Sequence, residues 1–290
     1  MSVFLIVGPT AVGKTGLAVE LALRYDAVVL SADAMTVYQG LDVGTAKPTM
    51  EERRGVTHFG IDVCRIDAEF SVASFLELFD EVCTHYPRVI VVGGTHFYFN
   101  SLLNPLAAMP SADMELRKKL EAIEDLHGEL QKADPVSAKR IHPNDRIRLV
   151  RAMEIFTLTG RPFSEVQKDP PRRVPLRAPL IWIDREDVRD RIQQRLSVMM
   201  QNGYLDECRN ILHEGWNLNE KPLKSFSYRY MLQAAKGDMA TEEALEKTEF
   251  GSWRLVRKQR TWARGLGWEP IHTEEALEHA CGVIDRQQIF

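Results

Sequence analysis

Eight residues near the start of the chain have the types and spacing of a phosphate-binding loop. Gly8, Pro9, Thr10, Ala11, Val12, Gly13, Lys14 and Thr15 match G-x-x-x-x-G-K-[ST] between a predicted strand and a predicted helix. The glycines let successive backbone N–H groups face an anion at a helix N-terminus. Lys14 adds a positive charge, and the Thr15 hydroxyl can ligate Mg²⁺. We therefore expect a bound diphosphate or triphosphate, with Lys14 and Thr15 in the catalytic set and Mg²⁺ as cofactor.

A lone acidic residue, Asp33, follows the second predicted strand. Phosphate-loop hydrolases usually carry an acid at the end of another strand to hold Mg²⁺, but strand 89–92 ends in Gly93, Gly94 and Thr95. The tip of the second strand faces the cleft beside the phosphates. A carboxylate there suits the proton of an acceptor substrate better than a hydrolytic water. An aspartate after a strand is also often only a cap, so the position alone leaves both interpretations open.

The elements that would position these residues are short apolar strands alternating with helices. Apolar runs at 3–7, 27–30 and 89–92 are separated by helical segments at 16–24 and 71–86, and 179–183 returns as a strand. Ser71 is the expected N-cap of the second helix. This pattern predicts an α/β fold, a P-loop nucleoside-triphosphatase-like parallel sheet flanked by helices. Helical spacing over 114–133 and 147–159 predicts a helical insertion domain at 113–177, between the core segments 1–112 and 178–290, and 241–264 reads as a long helix.

Composition limits the class of protein. No apolar run approaches the ~20 residues that span a bilayer, and the four cysteines are scattered without a C-x-x-C pair. We expect a cytoplasmic protein with no membrane segment, disulfide or zinc cluster. The net charge of −4 argues mildly against a nucleic-acid partner, yet 252–264 holds five basic residues and no acid. Such a run permits an RNA partner, although a solvated helix face is the commoner explanation.

Further motifs follow one another in order along nearly the whole chain. They are the loop 8–15, segments 33–38 and 40–48, Gly93-Gly94-Thr95 with Tyr98, 110–113, 134–135, 140–145, Arg148-Leu149, Arg151-Ala152 with Glu154, Thr159-Gly160, Tyr228-Arg229 and 257–262. Together they resemble the tRNA dimethylallyltransferases, also called isopentenyl-diphosphate:tRNA transferases.

The resemblance implies transfer of a dimethylallyl group from dimethylallyl diphosphate to N6 of the adenosine on the 3′ side of the anticodon in tRNA. It implies that the loop binds the diphosphate, that Asp33 takes the amine proton, and that the insertion grips the anticodon stem-loop. The adenine must leave its stack to reach Asp33. The enzyme is expected to act as a monomer. The implied tRNA contacts are Asp33, Ala34, Met35, Thr36, Thr95, Arg117, Arg146, Arg148 and Arg229.

Several positions depart from the family pattern. Ala34 and Thr36 stand where the family box Asp-Ser-x-Gln-x-Tyr has serine and glutamine, His58-Phe59 replaces two histidines, and His96 and Ser227 replace glycines. Contacts to the flanking bases are therefore in question, and three alternatives stay open: an adenylate isopentenyltransferase acting on free AMP or ADP, a P-loop small-molecule kinase, and a non-catalytic descendant that binds tRNA without modifying it.

A few other side chains have two interpretations. Lys47 and Arg229 are candidates for contacts with a diphosphate or phosphodiester. Tyr98 and Trp262 could stack on bases, but aromatic residues at helical spacing are more often core. A structural role is the more common one for a histidine such as His58.

Overall fold

The computed structural model describes residues 1–290, which form two compact units. Unit 1 consists of Met1–Leu102 and Arg177–Phe290, and unit 2 of Leu103–Leu176. The insertion predicted at 113–177 begins later in the chain than unit 2 does. None of the helices is both long and apolar enough to cross a membrane.

Unit 1 is built on a six-stranded sheet in which every strand pairing is parallel. The strands are β1 Ser2–Val7, β2 Val28–Ser31, β3 His58–Phe59, β4 Arg88–Gly93, β5 Leu180–Asp184 and β6 Pro270–His272, in the order β3-β2-β4-β1-β5-β6. β1 and β4 are buried along almost their whole length, as their continuous apolar runs predict. The predicted parallel α/β sheet is confirmed. The sequence did not indicate β3 and β6, which are only two and three residues long.

Helices of unit 1 connect and cover these strands. They are α1 Lys14–Tyr25, α2 Met50–Arg53, α3 Val72–His85, α4 His96–Leu103, α10 Val188–Gln201, α11 Tyr204–His213, α12 Phe226–Lys236, α13 Thr241–Gly265 and α14 Ala276–Gln287. Ser71 caps α3 as predicted, because its hydroxyl accepts a hydrogen bond from the Ser74 amide. The predicted long helix corresponds to α13.

Unit 2 is helical and has its own apolar core. Its helices are α5 Met114–Glu121, α6 Leu126–Ala133, α7 Pro135–Arg140, α8 Arg146–Thr159 and α9 Phe163–Val166, and Leu120, Leu126, Leu130 and Leu149 lie at the centre. The prediction of one helix over 114–133 is wrong. The Asp125 carboxylate accepts a hydrogen bond from the Gly128 amide and so starts a new helix at Leu126.

Candidate active site

The phosphate loop lies between β1 and α1, where the sequence places it. Gly13 has φ 91°, in the left-handed region that favours glycine. A side chain on Gly8 would come within 2.5 Å of the Ile183 carbonyl oxygen. Both glycines are therefore required by the path of the backbone, which brings the loop against β5 and into the start of α1.

Lys14 is partly buried against this loop. Its ammonium donates a hydrogen bond to the Pro9 carbonyl. Burial lowers the pKa of Lys14 to about 7, the Asp33 carboxylate opposes this change, and the nearby Arg195 cation adds to it. A bound anion would restore the charged form of Lys14, so the site favours a negatively charged ligand.

Three side chains from distant parts of the chain hold the loop in place. The side-chain oxygen of Gln259 accepts a hydrogen bond from the backbone amide of Thr10 at 3.1 Å. The side-chain nitrogen of Gln259 donates to the backbone carbonyl of Gly94 at 2.9 Å. Arg191 donates to the Ala11 carbonyl at 3.0 Å, and the Thr273 hydroxyl to that of Val12 at 3.1 Å. Gln259 therefore ties the phosphate loop to the loop that follows β4.

Asp33 lies at the carboxyl end of β2, beside the end of β4. Its Oδ1 accepts a hydrogen bond from the Met35 amide at 2.8 Å, and no other protein group bonds to its carboxylate. The Thr95 hydroxyl accepts from the Ala34 amide at 3.0 Å. Thr36 is buried, with its hydroxyl 3.0 Å from the Ser31 hydroxyl. One carboxylate oxygen of Asp33 is thus left for a ligand.

A cavity of about 480 Å³ brings the two groups of residues together, a size usual for small-molecule sites. The phosphate loop contributes Thr10, Ala11, Lys14 and Thr15 to its lining, and the strand ends contribute Ser31, Asp33, Ala34, Met35, Thr36 and Thr95. An apolar wall comes from helices α10, α12 and α13, through Ile192, Leu196, Met199, Phe226 and Leu255. The cavity therefore has polar and charged groups facing an apolar wall.

Arg195, on α10, is a cavity residue that the sequence did not reveal. Its guanidinium donates to the Thr10 hydroxyl at 3.0 Å and to the Thr45 carbonyl at 3.3 Å. Burial lowers the pKa of Arg195, and the Asp33 carboxylate opposes that change. Lys14 and Arg195 thus bring two basic side chains to one cavity. The only sequence signal is an excess of basic residues over 140–195, where 13 Lys and Arg stand against 8 Asp and Glu.

Glu207, on α11, fixes the segment that forms another part of the cavity wall. Its carboxylate accepts hydrogen bonds from the amides of Asp42, Val43 and Gly44 at 2.8, 2.7 and 3.0 Å, and from the Tyr228 hydroxyl at 2.7 Å. Gly44, Thr45, Ala46 and Pro48 of this segment line the cavity. The motif at 40–48 is therefore held by an acid more than 160 residues away.

Other candidate residues have structural surroundings. The Lys47 ammonium lies 2.5 Å from the carboxylates of both Asp42 and Asp62, so it is already neutralised. Tyr98 is core, stacked on Phe75 with ring centroids 4.4 Å apart. Trp262 is 40% exposed and so is not part of the core.

His58 combines structural and site features. Its Nδ1 lies 2.8 Å from the Val56 carbonyl oxygen, and its buried Nε2 has no partner. Burial lowers the pKa of His58. The residue also lines the cavity.

The arginines predicted to contact RNA outside the cavity differ in exposure and in their ion-pair partners. Within unit 2, Arg117 pairs with the fully buried Glu154 at 2.9 Å, and Arg146 donates to carbonyls at the end of α5. Arg148 is 69% exposed and pairs only with Asp145. In unit 1, Arg229 is exposed and covers the ring of Tyr230 at 4.5 Å. Arg148 and Arg229 are thus the accessible members of the predicted set.

Comparison with known proteins gives a consistent result. The IPP transferase family model matches residues 36–266. The chain is 38% identical over 280 residues to a tRNA dimethylallyltransferase of Acetivibrio thermocellus, covering 91% of this chain and 89% of that protein. It is 36% identical over 281 residues to the same enzyme of a Thermoanaerobacter species, with the same coverage.

Solved structures agree with these relatives. The tRNA isopentenylpyrophosphate transferase of Bacillus halodurans aligns with a TM-score of 0.69 at 31% identity, covering 99% of this chain and 97% of that one. A eukaryotic dimethylallyltransferase acting on tRNA aligns with a TM-score of 0.78 at 22% identity, over 93% of this chain and 73% of that one, and supports the fold alone.

Proposed function

The chain belongs to the IPP transferase family, and on that premise we propose that it transfers a dimethylallyl group from dimethylallyl diphosphate to N6 of the adenosine on the 3′ side of the anticodon in tRNA. The observation that carries this proposal is one cavity in which a phosphate loop with two cations meets an aspartate and an apolar wall. Those three features match the diphosphate, the acceptor amine and the prenyl group.

The loop end of the cavity is suited to the leaving group. As the allylic C–O bond breaks, negative charge develops on the diphosphate. Lys14, Arg195 and the loop amides line or border the cavity and would stabilise that charge. Positive charge that is already fixed in place costs no reorganisation at the moment of reaction.

The loop would also hold Mg²⁺ together with the substrate. The Thr15 hydroxyl lines the cavity and makes no side-chain hydrogen bond, and no cluster of three or more His, Cys, Asp or Glu side chains could bind a metal by itself. Mg²⁺ commonly takes most of its ligands from phosphate oxygens and water. When bound, the ion would supply further positive charge to the diphosphate.

Asp33 is the proposed base. The free carboxylate oxygen would accept a hydrogen bond from the exocyclic amine, which loses its proton to Asp33 as N6 bonds to the allylic carbon. Thr95 lies beside it and fixes the Ala34 amide. The adenine must first be flipped out of the anticodon loop into the cavity.

Unit 2 would contact the anticodon stem-loop. Single-stranded loops are where proteins read RNA sequence, and Arg148 on α8 offers an exposed guanidinium for this purpose. The cytoplasmic location and the monomeric state expected from the sequence stay predictions.

One transfer assay distinguishes the proposed tRNA dimethylallyltransferase activity from its alternatives. The protein, Mg²⁺ and radiolabelled dimethylallyl diphosphate are incubated with an anticodon stem-loop carrying three consecutive adenosines, with AMP, or with no acceptor. Label in the stem-loop alone supports the proposal. Label in AMP alone identifies an adenylate isopentenyltransferase, and label in neither contradicts prenyl transfer and favours the small-molecule kinase.

A further inference from the structure

His96, the first residue of α4, is a buried polar side chain that the proposed reaction does not use. The residue is only 5% exposed and does not line the cavity. It stands where the family pattern has glycine, so the imidazole is an addition to that pattern. It directly follows Gly93, Gly94 and Thr95, which we call the 93–95 segment and which do line the cavity. A side chain peculiar to this chain therefore borders the carboxyl end of β4.

Tryptophans from two separate parts of unit 1 surround the imidazole. The ring centroid of Trp182, on β5, lies 5.1 Å from that of His96. The ring of Trp268, beyond the end of α13, is stacked on the imidazole at 5.8 Å with an interplanar angle of 19°, and Trp262 on α13 is 6.3 Å away. Ring pairs at such separations attract one another beyond the area that they bury. The imidazole is therefore fixed by rings from outside its own helix.

The position of the ring decides which of its nitrogens carries the proton. Nδ1 lies 2.9 Å from the Gly94 carbonyl oxygen. Because a carbonyl oxygen can only accept, Nδ1 is the protonated nitrogen and Nε2 is left as an acceptor. Nε2 is buried and has no partner. Burial lowers the pKa of His96 to about 4, the hydrogen bond to Gly94 opposes this change, and the nearby Lys14 adds to it. The ring is therefore neutral at neutral pH.

The Gly94 carbonyl connects His96 to the phosphate loop. The same oxygen accepts from the side-chain nitrogen of Gln259 at 2.9 Å, and the side-chain oxygen of Gln259 accepts from the Thr10 amide. A side chain on Gly94 would come within 2.6 Å of that Gln259 nitrogen. The backbone at Gly94 is thus closely fitted to its neighbours, and His96 holds it from the side away from the cavity.

Thr95 connects the same segment to the proposed base. Its amide donates to the Ala32 carbonyl at 3.2 Å, and its hydroxyl accepts from the Ala34 amide at 3.0 Å. Ala32 and Ala34 are the two neighbours of Asp33 in the chain. A displacement of the 93–95 segment would therefore move Asp33 relative to the phosphate loop.

We propose that His96 is a positioning residue for prenyl transfer: its hydrogen bond to Gly94, in a ring fixed by the tryptophans, holds the 93–95 segment and so sets Asp33 against the phosphate loop. This inference rests on the proposed function and adds to it a residue that touches no substrate. A misplacement of about 1 Å can cost about 100-fold in rate. Lys14 and Arg195 make no hydrogen bond to the 93–95 segment, so the rate should be more sensitive to His96 than diphosphate binding is.

Three variants separate the hydrogen bond from the packing. His96→Asn places a side-chain N–H near the position of Nδ1, His96→Phe keeps a ring but has no donor, and His96→Ala removes both. In the transfer assay with the anticodon stem-loop, kcat should fall by about 10–100-fold in the Ala and Phe variants. The KM for dimethylallyl diphosphate should stay near its wild-type value in both. His96→Asn should recover most of the lost kcat, because the donor is restored.

Hydrogen exchange measures the displacement independently of turnover. In His96→Phe, exchange of the Ala34 and Thr95 amides should become faster, because their hydrogen bonds join the two segments. Exchange within the buried strand at 89–92 should not change. The ring nitrogens of His96 provide a second measurement: ¹⁵N chemical shifts should show Nδ1 protonated and Nε2 unprotonated in the wild type, and the reverse would contradict the hydrogen bond to Gly94.

Two control variants distinguish positioning from a general loss of stability. Val82→Ala opens the core on α3, near the start of β4 and away from the cavity. His85→Ala removes an exposed histidine whose Nδ1 also lies 2.8 Å from a backbone carbonyl oxygen. Neither change should lower kcat. Wild-type kcat in His96→Phe, an equal fall in Val82→Ala, or unaltered exchange at Ala34 and Thr95 would overturn the proposal. Faster exchange in a protein whose wild type transfers no prenyl group would contradict the proposed function and leave the hold of His96 on the 93–95 segment standing.

Discussion

The Glu207 carboxylate offers the sharpest test of how this fold builds its cavity. It accepts three backbone hydrogen bonds from the 42–44 segment and one from Tyr228. Hydrogen bonds to a charged group contribute about 1.5–3 kcal/mol each. Glu207 is only partly buried, so water can replace some of them after Glu207→Ala. We therefore expect Glu207→Ala to lower the free energy of unfolding by about 3 kcal/mol, well below the summed contribution of the four hydrogen bonds.

That loss should be visible in thermal unfolding. For domains of 150–250 residues, 1 kcal/mol lowers Tm by about 2–4 °C, which predicts a decrease of roughly 6–12 °C for Glu207→Ala. Glu207→Gln should lose less, because its carbonyl oxygen can keep two of the amides. Because the Thr45 carbonyl positions Arg195, we also expect a higher KM for dimethylallyl diphosphate at temperatures where the variant is folded.

The control is the adjacent acid on the same helix. Asp206 is exposed and pairs only with Arg209, three residues later, so Asp206→Ala should cost no more than about 0.5 kcal/mol. If Glu207→Ala melts no earlier than Asp206→Ala, the carboxylate does not anchor the cavity wall, and the reasoning from its hydrogen bonds is refuted.

Four further outcomes are expected. The pKa of Lys14 is lowered to about 7 in the free protein, and a bound diphosphate should raise it. Diphosphate binding at pH 8 should therefore take up protons, and its affinity should fall as the pH rises above 7. Calorimetry in two buffers of different ionisation enthalpy measures the proton uptake, and the Lys14→Arg variant should show none. Asp33→Asn should slow transfer by about 10²–10⁴-fold with both substrates bound nearly normally, and wild-type turnover would remove Asp33 from its role. Arg148→Ala should weaken stem-loop binding and make the slope of log K against log salt less negative by about 0.7. An unchanged slope would mean that Arg148 pairs with Asp145 and does not contact RNA. Glu154→Ala leaves two arginines without their buried partner and should destabilise unit 2 by about 3–5 kcal/mol, measured by hydrogen exchange of α5 and α8; unaltered protection would contradict this.

The phosphate loop and the main strands could be predicted because their signals are local. The loop needs glycines at fixed spacing, and a buried parallel strand needs a continuous apolar run. The break between α5 and α6 was missed because leucines on both sides of it keep helical spacing, whereas the cap at Asp125 is a single polar residue. β3 and β6 are too short to leave a pattern.

The residues that complete the cavity could not be predicted in the same way. Arg195, Glu207 and Gln259 each lie on an ordinary amphipathic helix, and their roles come from partners some 160 to 250 residues earlier in the chain. Lys47 shows the converse error: its motif suggested a phosphate contact, but Asp42 and Asp62 already neutralise it. Side-chain type alone does not distinguish a free cation from a paired one.

The strand order has a consequence for synthesis of the chain on the ribosome. β1 lies between β4 and β5, so the apolar edge of β1 stays unpaired until 180–184 has been translated. Unpaired apolar edges promote association between nascent chains. Unit 2 is one continuous segment of short helices, and such local contacts form quickly. We therefore expect the inserted unit to fold first, while the unit that surrounds it in sequence completes its sheet only after its second segment emerges.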